Sequence, residues 1–309
     1  MDNSKVGVVG LGRMGMIAVD RLLASGFTVF GYDPDSSACD IARQKGVLIS
    51  DCLADLSREV SIIWVQVLAG EITKSVILGD KLNDGLVDLL PSSSIVINAG
   101  NCNYLDSINE YCELTQKDIH HLDIGCSGGL KAAEQGFCLM IGGDRIIYDQ
   151  LIPVFKALAF KRSEDDHGYA YVGPSGAGHY LKTIIHNGIL ETAMVTIHGD
   201  FAAMLTNPDI PYKFDPAQVT DLFTKGSVCD SFLMRILSEA FKYPEVLEKI
   251  DDIVESAGTW GKQAITEAMR VGVPVPMTYL AVSGRDASQQ VSESNRFQAA
   301  MRFFFGGHK

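Results

Sequence analysis

Apolar and polar positions along the first half of the chain follow two alternating rhythms. Short apolar runs at residues 6–9, 28–32, 61–67, 94–98 and 121–124 are separated by longer stretches with helical spacing. Runs of that length between helical segments predict buried strands of a parallel sheet with helices on both faces. A further run, YAYVG at 169–173, closes this half and is followed by the loop PSGAG. From Ala177 the apolar period turns helical, over 177–205, 215–224, 229–241, 258–271 and 274–303. The expected architecture is a doubly wound α/β domain, residues 1–176, followed by an all-α domain, residues 177–309.

The first run leads into VGVVGLGRMG (6–15), which sets Gly10, Gly12 and Gly15 in G-x-G-x-x-G spacing between a strand and a helix. Gly10 permits the tight turn, Gly12 lets the backbone approach a pyrophosphate, and Gly15 lets helix and strand pack closely. The helix N-terminus then offers free N–H groups and positive potential to the phosphates. The second run, FTVFGYD, ends at Asp33, about twenty residues on, where a carboxylate accepts hydrogen bonds from an adenosine ribose. These features predict a Rossmann-type dinucleotide-binding domain. Arg13 and Met14 within the turn, and Val67 ending the 61–67 run, are further cofactor-contact candidates. Asp33 would repel a 2′-phosphate, and no arginine follows in DPDSSA to hold one, so NAD is expected over NADP.

Composition narrows the class. A chain of 309 residues is comfortable for two domains, and 47% apolar content provides for a large core. The net charge of −12 argues against nucleic acid or anionic membrane as partners. The start, MDNSKVGVVGLG, lacks a basic region followed by a long apolar run, so no signal peptide is expected. No stretch reaches the roughly 18 apolar residues of a membrane span. The seven cysteines (39, 52, 102, 112, 126, 138, 229) are dispersed without metal-ligand spacing. They imply a reducing, cytoplasmic setting and no metal site.

Four segments then carry a specific likeness: VINAGNCNYLDS (96–107), DIGCSGGLKAAEQGFCLMIGGD (123–144), GPSGAGHYLKTIIHNG (173–188) and AMRFFFGGHK (300–309). Together they resemble the 6-phosphogluconate dehydrogenase family, in its short NAD-preferring branch, within the 3-hydroxyacid dehydrogenase superfamily. The resemblance implies oxidation of a sugar-acid 3-hydroxyl by hydride transfer, loss of CO2 from the β-keto acid, and protonation of the enediol. It implies Lys182 as general base with Asn187 beside it. Asn101, Ser127, Gly128, Gly129 and His186 would contact the substrate, Asn101 lying between it and the nicotinamide. Glu191, Arg302 and His308 fall at its phosphate end, the last two reaching across a homo-oligomer, a dimer or a tetramer.

The stretch LKTIIHNGILE (181–191) departs from the family pattern. In the family a histidine follows the lysine by three residues and a glutamate by seven, all on one helical face. Here Lys182 precedes His186 by four residues and Glu191 by nine. Anchoring on Lys182 puts Ile185, His186 and Ile189 in the family's histidine, asparagine and glutamate slots. Anchoring on His186 puts Thr183 in the lysine slot and Leu190 in the glutamate slot. A one-residue π-bulge keeps lysine, histidine and asparagine in one row, and is preferred. Each register leaves an apolar residue at the acid position. In the His186 register Glu191 also replaces a phosphate-binding tyrosine of the family, while Ala281 aligns with a family arginine position, with Arg285 one turn further along. These departures keep two alternatives open: a related dehydrogenase or reductase on an unphosphorylated or amine-bearing substrate without decarboxylation, and a non-catalytic NAD-binding regulatory protein.

Plainer roles are expected elsewhere. His120, His121, His167 and His198 read as surface or loop residues, and His179 as a packing residue near the domain junction. Trp260 and Tyr279 read as core, and SEDDH (163–167) as a solvated insertion.

Overall fold

The computed structural model describes residues 4–209, 211–244, 260–287 and 293–306, and the chain divides into two compact units, Met1–Thr183 and Ile184–Lys309. The first unit is built on β1 (Lys5–Val9), β2 (Thr28–Tyr32), β3 (Leu48–Ile49), β4 (Ile62–Val65), β5 (Ile95–Asn98), β6 (His120–Ser127), β7 (Cys138–Gly143) and β8 (Tyr169–Gly173). They form one sheet in the order β3-β2-β1-β4-β5-β6-β7-β8. Between the strands run α1 (Arg13–Ala24), α2 (Ser36–Gln44), α3 (Leu53–Glu59), α4 (Glu71–Leu78), α5 (Leu86–Leu89) and α6 (Tyr104–Thr115). The order reverses between β1 and β4, the topological switch point at which such sheets open a crevice beyond their strand ends.

Strand alternation sends successive side chains to opposite faces, and both faces are covered. Ile62 and Trp64 of β4 join one apolar cluster with Val6, Val8, Ile95 and Ile97. Ile63 and Val65 join the other, with Val9, Leu56, Ile77 and Val96. Such all-round burial is why these strands read as unbroken apolar runs.

The sheet departs from the expected parallel pattern once. β6 and β7 pair antiparallel, Leu122 opposite Gly143 and Ser127 opposite Cys138. Only residues 128–137 link them, too short for the helical crossover of a dozen or more residues that a parallel neighbour needs. The link from β7 to β8 contains the helices Arg145–Gln150 and Ile152–Leu158, and that pair is parallel.

The second unit is helical: Asn187–Thr192, Asp200–Thr206, Pro216–Phe223, Phe232–Phe241, Trp260–Val271, Pro276–Ala287 and Glu293–Gly306. Met194, Ala202, Leu233, Ile236, Leu237, Phe297 and Met301 form its core. Asp215 and Ser231 cap two of these helices through their side chains. No described helix is long and apolar enough to cross a membrane.

Three plain readings are corrected. His121 is fully buried on β6, its Nε2 3.3 Å from the Glu110 carboxylate of α6. His198 is buried on the π-helical turn Ala193–Gly199, where Nδ1 meets the Ala193 carbonyl at 2.8 Å and Nε2 meets Ser231 Oγ at 3.2 Å. Both nitrogens of the His198 ring are thus partnered, so its burial strands no polar group. Tyr279, expected in the core, is exposed, because its helix buries Ala281 and Val282 instead. The side chains of Trp260 and Arg285, and the whole of His308, lie outside the described residues.

Candidate functional site

The glycine turn leaves the C-terminal end of β1. Gly10 has φ +93°, and a Cβ there would overlap the Gln66 backbone carbonyl. A Cβ on Gly15 would overlap the Gly10 carbonyl oxygen, so α1 can sit this close to the turn only without a side chain. Gly12, the N-cap of α1, has no heavy atom within 4 Å of where its Cβ would be. The open space there lies at a helix N-terminus, whose free N–H groups suit an anionic group such as a pyrophosphate. Arg13 is exposed beside it, Met14 packs partly against the core, and Val67 lines the Gly10 turn.

Asp33 is held from two sides. Oδ2 accepts the Leu11 N–H at 2.7 Å and Oδ1 accepts the Asp35 N–H at 2.9 Å. The carboxylate thereby ties the end of β2 to the glycine turn, and each oxygen retains a lone pair for a ribose hydroxyl.

Asn101 follows β5 at the same sheet edge, and its Oδ1 is buried without a hydrogen bond. A buried acceptor of this kind suits a bound polar group. Ser127 ends β6, and Gly128 (φ +129°) and Gly129 (φ +54°) turn the chain into the short helix Gly129–Lys131. A left-handed residue leading into a right-handed helical turn points successive backbone N–H groups to one side, the arrangement of an anion nest.

Lys182 lies in the π-helical segment Leu181–His186, within which the chain passes from one unit to the other. The π turn absorbs the extra residue between Lys182 and His186, the bulge that the spacing called for. Lys182 is 8% exposed, and its stem packs where a Cβ on Gly125 of β6 would otherwise stand. Burial draws its pKa down to about 8, against a smaller upward pull from Cys126 and Cys138. Burial also pushes the Cys126 thiol up to about 12 and raises that of Cys138.

Asp123 anchors the helix that carries this lysine. It is fully buried on β6, and Oδ1 takes the Gly176 N–H at 2.7 Å while Oδ2 takes the His179 N–H at 2.8 Å. His179 is buried too, with Nδ1 2.6 Å from Ser107 Oγ on α6, and burial holds its pKa below the usual imidazole range. Asp123→Asn leaves one of the two N–H groups facing an amide donor. It is expected to lower unfolding stability by about 2 kcal/mol, read from the urea midpoint; an unchanged midpoint would show that the carboxylate is dispensable.

The second unit carries the remaining candidates. His186 Nδ1 lies 3.1 Å from Asn187 Oδ1, and Asn187 is buried. Glu191 is partly buried, its stem beside Gly261. Arg302 is partly buried on the helix Glu293–Gly306. The first unit thus gathers the cofactor candidates, Asn101 and the Ser127–Gly129 nest at one sheet edge. Asn98, Glu110, Gln66 and Asp123 were missed from the sequence. Position at a strand's C-terminal end was the available signal for Asn98 and Gln66.

Known proteins share this design. The family described as the NAD binding domain of 6-phosphogluconate dehydrogenase matches residues 5–168, and the 6-phosphogluconate dehydrogenase C-terminal domain matches residues 178–308. The chain is 35% identical to the NAD(+)-dependent, decarboxylating 6-phosphogluconate dehydrogenase of Haloferax volcanii, over 99% of this chain and 98% of that one. Among solved structures, 3-hydroxyisobutyrate dehydrogenase from Salmonella typhimurium superposes with a TM-score of 0.75 at 21% identity, covering 95% of this chain and 98% of its own. Plasmodium falciparum 6-phosphogluconate dehydrogenase gives 0.79 at 22% identity, covering 92% of this chain and 62% of its own. At those identities the structural likeness speaks for the fold.

Proposed function

The chain belongs to the 6-phosphogluconate dehydrogenase family and is an oxidoreductase, and on that premise we infer that it oxidises the 3-hydroxyl of a sugar acid with NAD and that the β-keto acid then loses CO2. The observation that carries this reading is Lys182, an amine whose burial lowers its pKa to about 8. It packs on the strand that ends in the Ser127–Gly129 nest. Gly10, Gly12, Arg13, Met14, Gly15, Val67 and Asp33 would hold a nicotinamide dinucleotide, which would supply the hydride acceptor. The nest binds the substrate carboxylate, and Asn101 holds the substrate against the nicotinamide. Unprotonated Lys182 takes the hydroxyl proton as hydride leaves C3. Its ammonium then donates to the ketone oxygen while the carboxylate departs as CO2, its bonding electrons passing into the enediol. Asn187 and His186 hold the hydroxyls, and Arg302 and His308 the distal phosphate.

Asp33, fixed by two N–H donors, supports NAD over NADP because its charge opposes a 2′-phosphate. Seven unpaired cysteines support a reducing, cytoplasmic setting.

One observation favours a second reading. In the register that aligns His186, the acid position falls on Leu190, which packs against the apolar cluster of Met194 and Phe297. A dehydrogenase acting on an unphosphorylated 3-hydroxy acid, without decarboxylation, needs no acid there. A panel of 6-phosphogluconate, gluconate and smaller 3-hydroxy acids with NAD and NADP, scored for reduced cofactor and CO2, separates the two. NADH and CO2 in equal amounts from 6-phosphogluconate are expected. NADH without CO2 would replace this reading by the second, and no turnover of any member would remove both.

The described helices of the second unit carry an exposed apolar surface that includes Phe201, Met204, Leu222, Met277 and Leu280. A second copy of the chain is its occupant in this reading. Sedimentation equilibrium is expected to give twice the chain mass or more, and a monomer at micromolar concentration would count against it.

A further inference from the structure

Asn98, the last residue of β5, is fully buried, and the two ends of its amide have different partners. Nδ2 donates to Glu110 Oε2 at 2.8 Å, and Oδ1 accepts the Gly100 N–H at 3.0 Å. Glu110 reaches in from α6 at 2% exposure, with Oε2 also 3.3 Å from Nε2 of the buried His121. The Asn98–Gly100 bond closes a tight turn of the kind that asparagine side chains make with their own backbone two residues on. Asn101 is the next residue, and its Oδ1 forms no hydrogen bond. Its aim therefore depends on the turn beneath it.

We propose that Glu110 is a positioning residue which, by fixing the direction of the Asn98 amide, sets the turn that presents Asn101 to substrate and nicotinamide. This rests on the role given to Asn101 above. An amide can turn either end toward a neighbour, and only an acceptor facing Nδ2 leaves Oδ1 for Gly100. A carboxylate supplies that acceptor without ambiguity. The rest of the loop is clamped independently: the Ala99 N–H donates to the Val65 carbonyl at 2.9 Å, and Gln66 Nε2 donates to the Ala99 carbonyl at 2.6 Å. Gln66 is itself held at Oε1 by the Trp64 indole N–H at 3.1 Å. Beside those clamps, the Asn98 amide joins the turn through Oδ1, which accepts from the Gly100 N–H at 3.0 Å and faces Cys102 Sγ at 3.7 Å.

Glu110→Gln preserves shape and volume but offers an amide of either polarity. Asn98→Asp sets two carboxylates face to face. Asn98→Asp combined with Glu110→Gln restores a single polarity, because the introduced carboxylate accepts from both the Gly100 N–H and the new glutamine amide. The three variants and the wild type are assayed with NAD and the best substrate of the panel. Each single substitution is expected to lower kcat about tenfold with KM for NAD within about twofold, and the double substitution to recover kcat to within about threefold. Wild-type kcat in Glu110→Gln, a double variant no better than the singles, or a loss confined to KM for NAD would overturn the proposal. Hydrogen exchange of the Gly100 amide, expected to be slow in the wild type and the double variant and faster in Glu110→Gln, is read without substrate. A wild type that turns over nothing thus refutes the functional reading, while exchange unaffected by Glu110→Gln refutes the positioning.

Discussion

Lys182→Met is expected to lower kcat by about a thousandfold while leaving the NAD dissociation constant within about twofold of wild type. The methionine stem packs over Gly125 as the lysine stem does, so packing is kept and the amine alone is lost. Wild-type kcat/KM should rise about tenfold per pH unit on the acid side and level off near pH 8. The sign follows from the group: a general base works unprotonated, and burial has brought the amine from 10.5 to about 8. At pH 7 most molecules hold the ammonium form, and raising the pH recruits the rest. Residual activity of Lys182→Met should lack that limb. Near-wild-type turnover in the variant, or a limb still near 8, would transfer the base role to another residue.

Gly12→Glu is expected to weaken NAD binding at least about 100-fold, or about 3 kcal/mol, with the melting temperature unchanged. The space around the Gly12 Cβ position is open, so the side chain enters without displacing protein atoms. It places a carboxylate at the N-terminus of α1, where the pyrophosphate would lie. Gly15→Ala provides the contrast, because its methyl meets the Gly10 carbonyl and costs fold stability first. Isothermal titration and thermal unfolding on the same samples separate the two effects. Unaltered NAD affinity in Gly12→Glu would place the dinucleotide elsewhere.

Much of the fold was legible because central strands buried on both faces must be apolar throughout, as in β1, β4 and β5. β3 escaped notice because it has two residues, and β7 because CLMIGG ends in glycines that read as a turn. Its reversed direction was a matter of linker length, which hydrophobic period does not encode. In the site, the glycine turn and Asp33 carried spacing that only a few geometries satisfy, whereas Lys182 was found through the resemblance of the motifs around it. Glu110 and His121 carried none: a glutamate on an amphipathic helix and a histidine on a strand look solvated until the fold turns them toward each other. Asp123 was likewise hidden, since an acid capping a helix more than fifty residues downstream leaves no local pattern.

Gly125 offers no functional group, yet it governs the chemistry of its neighbour. The missing methyl lets the lysine stem rest on β6, where the residue as a whole is 8% exposed. Any larger residue would lift the helix, rehydrate the ammonium and return the lysine toward its ordinary basicity. With Lys182 as the base proposed above, the pH dependence of turnover is set in part by an empty place on a strand.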